Sequence, residues 1–246
     1  MVEPDASVLS RAGAFAVLLA AVVTWDAVAP HLDAVSVWPT VAIIAAGVLP
    51  ATMGLISLAL PLWPRRRLVA AGVVVFAVAA VVTWEAGSHL ASNFMKLAAY
   101  TCGGWLFLAF FEEVSWVVIV ALIIPFVDAI SVAAGPTKDI VHHHAAVYSA
   151  VAVAFVAPGG LAAGLGPPDV LFFAIFLAAT VRWGLRTRWT WVAMTGMYSL
   201  TLVIANATDV NGLPALPFLS FGFLVANGDL LWRRFGPEIA KLRSRT

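Results

Sequence analysis

The chain has 246 residues, of which 62% are hydrophobic and 11% are charged, and its formal net charge is +1. This composition, with a mean hydropathy of +0.97, excludes a soluble globular domain of the same length. We expect a membrane protein with the lipid bilayer as its surroundings and no nucleic-acid partner. A single cysteine, Cys102, excludes an internal disulfide and a cysteine-rich metal site.

Eight apolar segments have about the length that a helix needs to cross a bilayer. In chain order they are residues 10–29, 38–63, 68–86, 93–111, 114–134, 169–185, 189–206 and 213–232. The motif FFEE at 110–113 separates the fourth segment from the fifth, and tryptophans near the segment ends suit the membrane interface. The sequence therefore predicts an all-α, polytopic bundle of about eight transmembrane helices.

We expect one membrane domain that covers residues 1–246. It would contain a first group of helices within 10–111, a second group within 114–232, an outer loop at 135–168 and a cytoplasmic tail at 233–246. The apolar stretch AAVYSAVAVAFVAP at 145–158 is too short for a span. We place it in the outer loop, where the β-branched and small residues of VAVAFV indicate a short strand over the membrane surface.

The basic residues predict the orientation. With a cytoplasmic N-terminus, twelve of the fourteen lysines and arginines lie inside, and only Lys96 and Lys138 lie outside. Both termini are then cytoplasmic, in the plasma membrane of a bacterium or archaeon. A cleaved signal peptide ending near Ala29 is an alternative, weakened by Asp26 and by the sparse basic residues before the first span.

Two carboxylates lie within the predicted spans, where an ionised acid costs at least about 2.5–3.5 kcal/mol. Asp128 follows the apolar run IIPFV in the fifth span, roughly 9 Å below its outer end at 1.5 Å per residue. Asp169 opens the sixth span after GLGPP, so both acids approach the outer face. Two carboxyls in a wet, low-dielectric cleft share a proton, and one can activate water while the other donates to a carbonyl oxygen. Helix-to-helix hydrogen bonding and a proton relay are the alternatives.

The segment GLPALPFLS at 212–220 opens the last span with two prolines, Pro214 and Pro217. They prevent a regular first turn and leave main-chain groups unpaired, which a membrane tolerates where such groups line a cavity or meet a ligand. A plain helix start with proline in its first turn would explain the same residues. The predicted topology places Pro214 on the same outer face as the two acids.

These three segments together resemble a known family. VDAISV followed by TKD, then GLGPPD and PALP, are similar to the YD, GxGD and PAL motifs of the presenilin and signal-peptide-peptidase family of intramembrane aspartyl proteases, particularly its microbial members. The likeness covers roughly residues 120–230. It implies a presenilin-like fold and hydrolysis of peptide bonds in transmembrane segments, with no metal or organic cofactor. It also implies site residues: catalytic Asp128 and Asp169, and substrate-binding Gly166, Pro214, Ala215 and Leu216.

The chain departs from the family pattern at several places. Val127 stands where the family has tyrosine, and Pro168 stands where it has the glycine before Asp169, with Gly166 still in place. Eight predicted spans are one fewer than the family's nine. An inactive homologue that binds transmembrane segments without cutting them is therefore one alternative. The other is a small proton-coupled transporter, although we find no internal repeat of the kind that transporters show.

Two further expectations concern the outer loop. VAVAFV could offer a strand edge to an unwound substrate, since strand addition supplies main-chain hydrogen bonds. Replacing Ala152 or Ala154 with proline should then abolish cleavage. His142, His143 and His144 point in different directions on a helix and have no acidic or cysteine partners nearby, so we expect a solvated loop and no metal site.

Overall fold

The computed structural model describes residues 6–134, 145–208 and 213–243, most of which are helical. The first half contains α1 (Ala6–Val28), α2 (Val37–Ile43), α3 (Leu49–Ala59), α4 (Arg66–Glu85) and α5 (His89–Leu108). The second half contains α6 (Val114–Ala134), α7 (Ala145–Val151), β1 (Val153–Ala157), β2 (Gly160–Leu165), α8 (Pro167–Arg182), α9 (Thr187–Thr208) and α10 (Leu216–Arg243).

A π-helical turn, Ile44–Val48, joins α2 to α3, so that residues 37–62 form one helical segment. Pro50 follows this turn and has no N–H to offer to the carbonyls before it. The Ser199 hydroxyl of α9 donates to the Ala45 carbonyl instead, at 2.6 Å. This hydrogen bond ties the N-terminal half of the bundle to α9.

Among the described residues, four helices are long and apolar enough to cross a membrane: Val8–His31, Val37–Leu62, Arg66–Glu85 and Val114–Val132. The chain is therefore a membrane protein, but the prediction of eight spans is not supported. The other four predicted segments do form helices. However, α8 has only 16 residues, and polar residues interrupt the apolar stretches of α5, α9 and α10.

Helix α8 is the centre of the bundle. Its residues from Phe173 to Thr180 have no exposed surface, and α5, α6, α9 and α10 pack around it. The contact with α5 is close because Gly104 faces the main-chain carbonyl of Leu171, where a Cβ atom would clash. In contrast, α1, α4 and α6 expose large apolar side chains, such as Val17, Val74 and Phe126, as lipid-facing helices do.

The segment predicted as an outer loop, 135–168, has regular structure in its described part. Its described part contains α7 and an antiparallel hairpin of β1 and β2. The predicted short strand is confirmed at Val153–Ala157, although 145–151, the first part of the same apolar stretch, is helical. Helix α10 continues into the predicted tail, 233–246, as far as Arg243.

The register of the hairpin pairs Ala154 with Gly164 and Phe155 with Ala163, with a bulge between Phe155 and Val156. Its turn contains Gly159 at a φ of 92°, a conformation that favours glycine. A Cβ atom at Gly159 would lie 2.7 Å from the Cβ of Ala34. The hairpin therefore packs against the segment that follows α1.

Candidate active site

Asp128 reaches from α6 to the first residue of α10. The main-chain N–H of Leu216 donates to Asp128 Oδ2 at 3.0 Å. The first N–H groups of a helix have no partner within the helix, and a negative charge there is favourable. Pro214 and Ala215 come before the helix, in a stretch without regular structure, so the main chain turns into α10 beside the Asp128 carboxylate.

Asp169 is the third residue of α8. Pro167 and Pro168 occupy the first two positions, where a missing N–H costs little. The Asp169 side chain turns back so that its Oδ2 accepts the Gly166 N–H at 2.9 Å, and the Asp169 N–H donates to the Gly166 carbonyl at 3.1 Å. Pro168 thus fits the start of the helix and leaves the side chain of Asp169 free to turn toward the end of β2.

The two acids come from different helices and lie near each other. The charge of Asp128 acts on the Asp169 carboxyl. Both side chains are partly buried, and each uses Oδ2 to accept a main-chain N–H. One oxygen of each carboxyl is therefore held by a main-chain N–H at the start of a helix.

A tyrosine that the sequence analysis did not single out lies beside both acids. Tyr198 of α9 is 2% exposed, and its hydroxyl donates to the main-chain carbonyl of Asp169 at 2.9 Å. Its ring stacks on Phe173, with 6.1 Å between the ring centroids. The charges of Asp169 and Asp128 both act on the phenol. Tyr198 therefore links α9 to the start of α8, where Asp169 lies.

A second tyrosine, Tyr148, also lies near Asp169. It lies on α7, and its hydroxyl donates to the Gly164 carbonyl of β2 at 3.1 Å. Burial, and then the charge of Asp169, raise the pKa of Tyr148 above its usual value. The phenol thus stays neutral and keeps its proton as a hydrogen-bond donor at neutral pH.

The hairpin is held against the bundle by side chains. Asn93 of α5 accepts the Ala154 N–H at 2.7 Å and donates to the Ala154 carbonyl at 2.9 Å. The Trp25 indole of α1 donates to the Val156 carbonyl at 2.8 Å. These contacts occupy the edge of β1 that faces away from β2. The prediction that VAVAFV offers a free edge was therefore wrong for β1.

Two charged residues of the N-terminal helices are buried, Lys96, which the predicted orientation places outside, and Asp26. Lys96 is 5% exposed, and its Nζ donates to the Ala152 carbonyl at 2.6 Å. Asp26 is 8% exposed and lies against Asn93. At the other end of the bundle, Asp229 forms a bidentate ion pair with Arg186, at 2.6 and 2.7 Å, and this pair is about half exposed.

The six predicted site residues thus fall into two adjoining groups. Asp128 lies with Pro214, Ala215 and Leu216, and Asp169 lies with Gly166. Of the other candidates, His142 to His144 and Lys138 lie outside the described residues. Among the residues that are described, no group of three metal-binding side chains occurs.

The sequence contains only weak signals for the site residues that were not predicted, which are Asn93, Lys96, Tyr100 and Tyr198. Asn93, Lys96 and Tyr100 follow one another at intervals of three and four, which places polar side chains on one face of α5. Tyr198 is a polar aromatic residue in the middle of an apolar segment. Neither pattern says what the side chain contacts, because the partners are main-chain groups 29 to 61 positions away.

No protein-family model, curated protein or solved structure matches the chain. The likeness to the presenilin and signal-peptide-peptidase family therefore consists of the short motifs around Asp128, Asp169 and Leu216.

Proposed function

We propose that the protein is an intramembrane aspartyl protease that hydrolyses peptide bonds in transmembrane segments. The observation that supports this most strongly is that Asp128 of α6 lies close enough to Asp169 of α8 for its charge to act on the Asp169 carboxyl. Two carboxyls in such a site share a proton and titrate as a pair. We also propose a presenilin-like fold with eight transmembrane spans and with both termini in the cytoplasm.

The chemistry needs only the two acids and water. The ionised carboxyl takes a proton from a water molecule as the water oxygen forms a bond to the carbon of the scissile carbonyl. The protonated carboxyl gives its proton to the carbonyl oxygen, which leaves a neutral tetrahedral diol. The diol then loses a hydroxyl proton to the carboxylate that protonated the carbonyl oxygen, and the nitrogen gains the proton held by the other carboxyl as the C–N bond breaks. The products are a carboxylic acid and an amine.

The contacts of the Oδ2 atoms suit these roles. Leu216 N–H holds Asp128, and Gly166 N–H holds Asp169. Both bonds come from main-chain groups at helix starts, which are fixed in place and need no rearrangement during the reaction. The acids are thus oriented before substrate binds.

We propose that substrate adds to β2 rather than to β1. The edge of β1 that faces the bundle is occupied by Asn93 and Trp25. Because Ala154 directs its main-chain groups away from β2, its partner Gly164 directs its own groups away from β1. An unwound segment could bond to Gly164, five positions before Asp169, by strand addition. The hydrogen bond from the Tyr148 hydroxyl to the Gly164 carbonyl would have to break to allow this binding.

The second candidate is a homologue that binds transmembrane segments without cutting them. The observation that favours it is that both carboxylates serve helix starts: Asp169 caps α8 and Asp128 receives the first N–H of α10. Acids in these positions stabilise helices whether or not they take part in chemistry. The transporter alternative has no such observation in its favour.

The proposal is tested with a reporter transmembrane peptide in lipid vesicles. Wild type should cut the peptide, and Asp128→Ala and Asp169→Ala should each abolish the cut while remaining folded in the membrane. If wild type leaves the peptide intact in several lipid compositions but still binds it, the non-cutting homologue is the correct reading. Cleavage that persists in either variant would exclude the dyad.

A further inference from the structure

The side chain of Tyr148 occupies the edge of β2 to which substrate is proposed to add. Its hydroxyl donates to the Gly164 carbonyl at 3.1 Å. This carbonyl faces away from β1, because Gly164 pairs with Ala154 and the main-chain groups of Ala154 face Asn93. The ring lies at the same place, since a Cβ atom at Gly164 would be 3.6 Å from Tyr148 Cε1. We call the hydrogen bond from Tyr148 to Gly164 the latch.

The latch and a bound strand exclude each other. A strand that adds to β2 lies about 4.8 Å from it and donates N–H groups to its outward carbonyls. The phenol oxygen of Tyr148 already lies 3.1 Å from the Gly164 carbonyl oxygen, where such an N–H would have to lie. In the substrate-free protein, Tyr148 therefore supplies the hydrogen bond that a main-chain N–H of the substrate would supply in the complex.

The same edge continues from the latch to one of the two acids. Gly166 lies two positions after Gly164, and its N–H donates to Asp169 Oδ2 at 2.9 Å. The charge of Asp169 acts on the Tyr148 phenol, so the two side chains lie near each other at the end of β2. A segment that replaces Tyr148 at Gly164 is therefore brought next to Asp169.

The C-terminal end of α7 is anchored on α5 by hydrogen bonds to main-chain carbonyls. They run from Lys96 to Ser149 at 3.3 Å and to Ala152 at 2.6 Å, and from Tyr100 to Val151 at 2.8 Å. The Tyr148 carbonyl in turn accepts the Ala152 N–H at 2.8 Å. The main chain of Tyr148 is thus held in place, while its side chain can leave Gly164 by a change of rotamer.

We infer that Tyr148 controls the access of a transmembrane segment to the dyad, by occupying the Gly164 carbonyl until a main-chain N–H of the segment replaces it. The inference rests on the proposed function, and specifically on the addition of substrate to β2. Because the latch must open before the segment binds, only the open fraction of the protein is competent, and the apparent affinity is reduced by that fraction. The latch is already open in the complex, so the chemical step does not depend on it.

The test compares Tyr148→Phe with Tyr100→Phe. Each change removes one phenol hydroxyl that donates to a main-chain carbonyl, but only Y148F removes the latch. In Y100F, Lys96 still holds the end of α7. Binding of a labelled reporter transmembrane peptide is measured by fluorescence in vesicles of phosphatidylcholine and phosphatidylglycerol. The parent and both variants carry Asp128→Ala in this measurement, so that the peptide is not cut.

We expect Y148F to bind the peptide about three- to tenfold more tightly than the parent, which corresponds to the loss of one neutral hydrogen bond. Y100F should bind it as the parent does. With Asp128 restored, Y148F should lower KM by a similar factor and leave kcat unchanged. Equal or weaker binding by Y148F overturns the inference alone, and so does an equal gain of affinity in Y100F.

The proposed function is tested separately by the wild type. A wild type that binds the peptide without cutting it overturns the proposed proteolysis, while the comparison of Y148F with Y100F still decides the role of Tyr148. A wild type that does not bind the peptide overturns the proposed function and the role of Tyr148 together.

Discussion

The main-chain N–H of Leu216 donates to the carboxylate of Asp128, 88 positions earlier in the chain, at 3.0 Å. This bond joins the start of α10 to the middle of α6 at the proposed dyad. It gives the segment PAL a direct role that a plain helix start would not have.

Leu216→Pro should abolish cleavage. Proline is tolerated as the first residue of a helix, but it removes the N–H that Asp128 accepts. A hydrogen bond to a charged group contributes about 1.5–3 kcal/mol, so thermal unfolding in detergent should also begin at a lower temperature. The control is Leu216→Met, which keeps the N–H and nearly the same volume. Equal activity of L216P and L216M would show that the bond has no role.

Substitutions of Asp169 should separate helix capping from chemistry. In Asp169→Asn the side-chain amide oxygen could still accept the Gly166 N–H, but the amide could not exchange a proton with the substrate. This variant should therefore lose cleavage with little loss of stability. Asp169→Ala removes the acceptor as well, and we expect a further loss of about 1 kcal/mol. Cleavage rates and unfolding midpoints measured on both variants distinguish a role of Asp169 in catalysis from a role in stabilising the helix. An active D169N would leave Asp169 as a helix cap only.

Tyr198→Phe should slow cleavage without abolishing it. The change keeps the ring that stacks on Phe173 but removes the hydroxyl that donates to the Asp169 carbonyl at 2.9 Å. We expect a stability loss of about 1 kcal/mol and a looser start of α8. Initial rates on the reporter peptide, at equal amounts of folded protein, measure the effect. A complete loss of activity would instead indicate that the phenol takes part in the reaction.

Gly104→Ala should destabilise the bundle, whereas Gly103→Ala should not. A Cβ atom at Gly104 would meet the Leu171 carbonyl of α8, and one at Gly103 would meet nothing within 4 Å. Forcing extra volume into a packed contact costs about 1–3 kcal/mol. The two unfolding midpoints in the same detergent provide the comparison. Similar midpoints would mean that α5 and α8 are not in close contact.

Local composition predicted where the helices lie, and four of the eight predicted spans are helices long and apolar enough to cross a membrane. The boundaries of α6 agree with the predicted segment 114–134 because its apolar run begins after the acids Glu112 and Glu113. The segment at 169–185 also forms a helix, α8. However, α8 is a short central helix covered by other helices. Hydropathy cannot distinguish burial by protein from burial by lipid.

The candidate site could be predicted only in part. The motifs pointed to Asp128, Asp169 and Leu216, and in the structure the charge of Asp128 acts on the Asp169 carboxyl. The side-chain contacts that hold β1 against α1 and α5 were not predicted, since their partners are main-chain groups that carry no signal in the sequence. Lys96 illustrates the difficulty, because a lysine near a predicted span end normally reaches water, yet this one is buried.

The distance between the carboxyl oxygens of Asp128 and Asp169 in the protein embedded in lipid tests the central claim most directly. We predict that the nearest oxygens lie within about 6 Å, since one water molecule can then hydrogen-bond to both at about 2.7–3.0 Å each. A larger separation, with packed side chains between the two acids, would contradict the assignment of a catalytic dyad.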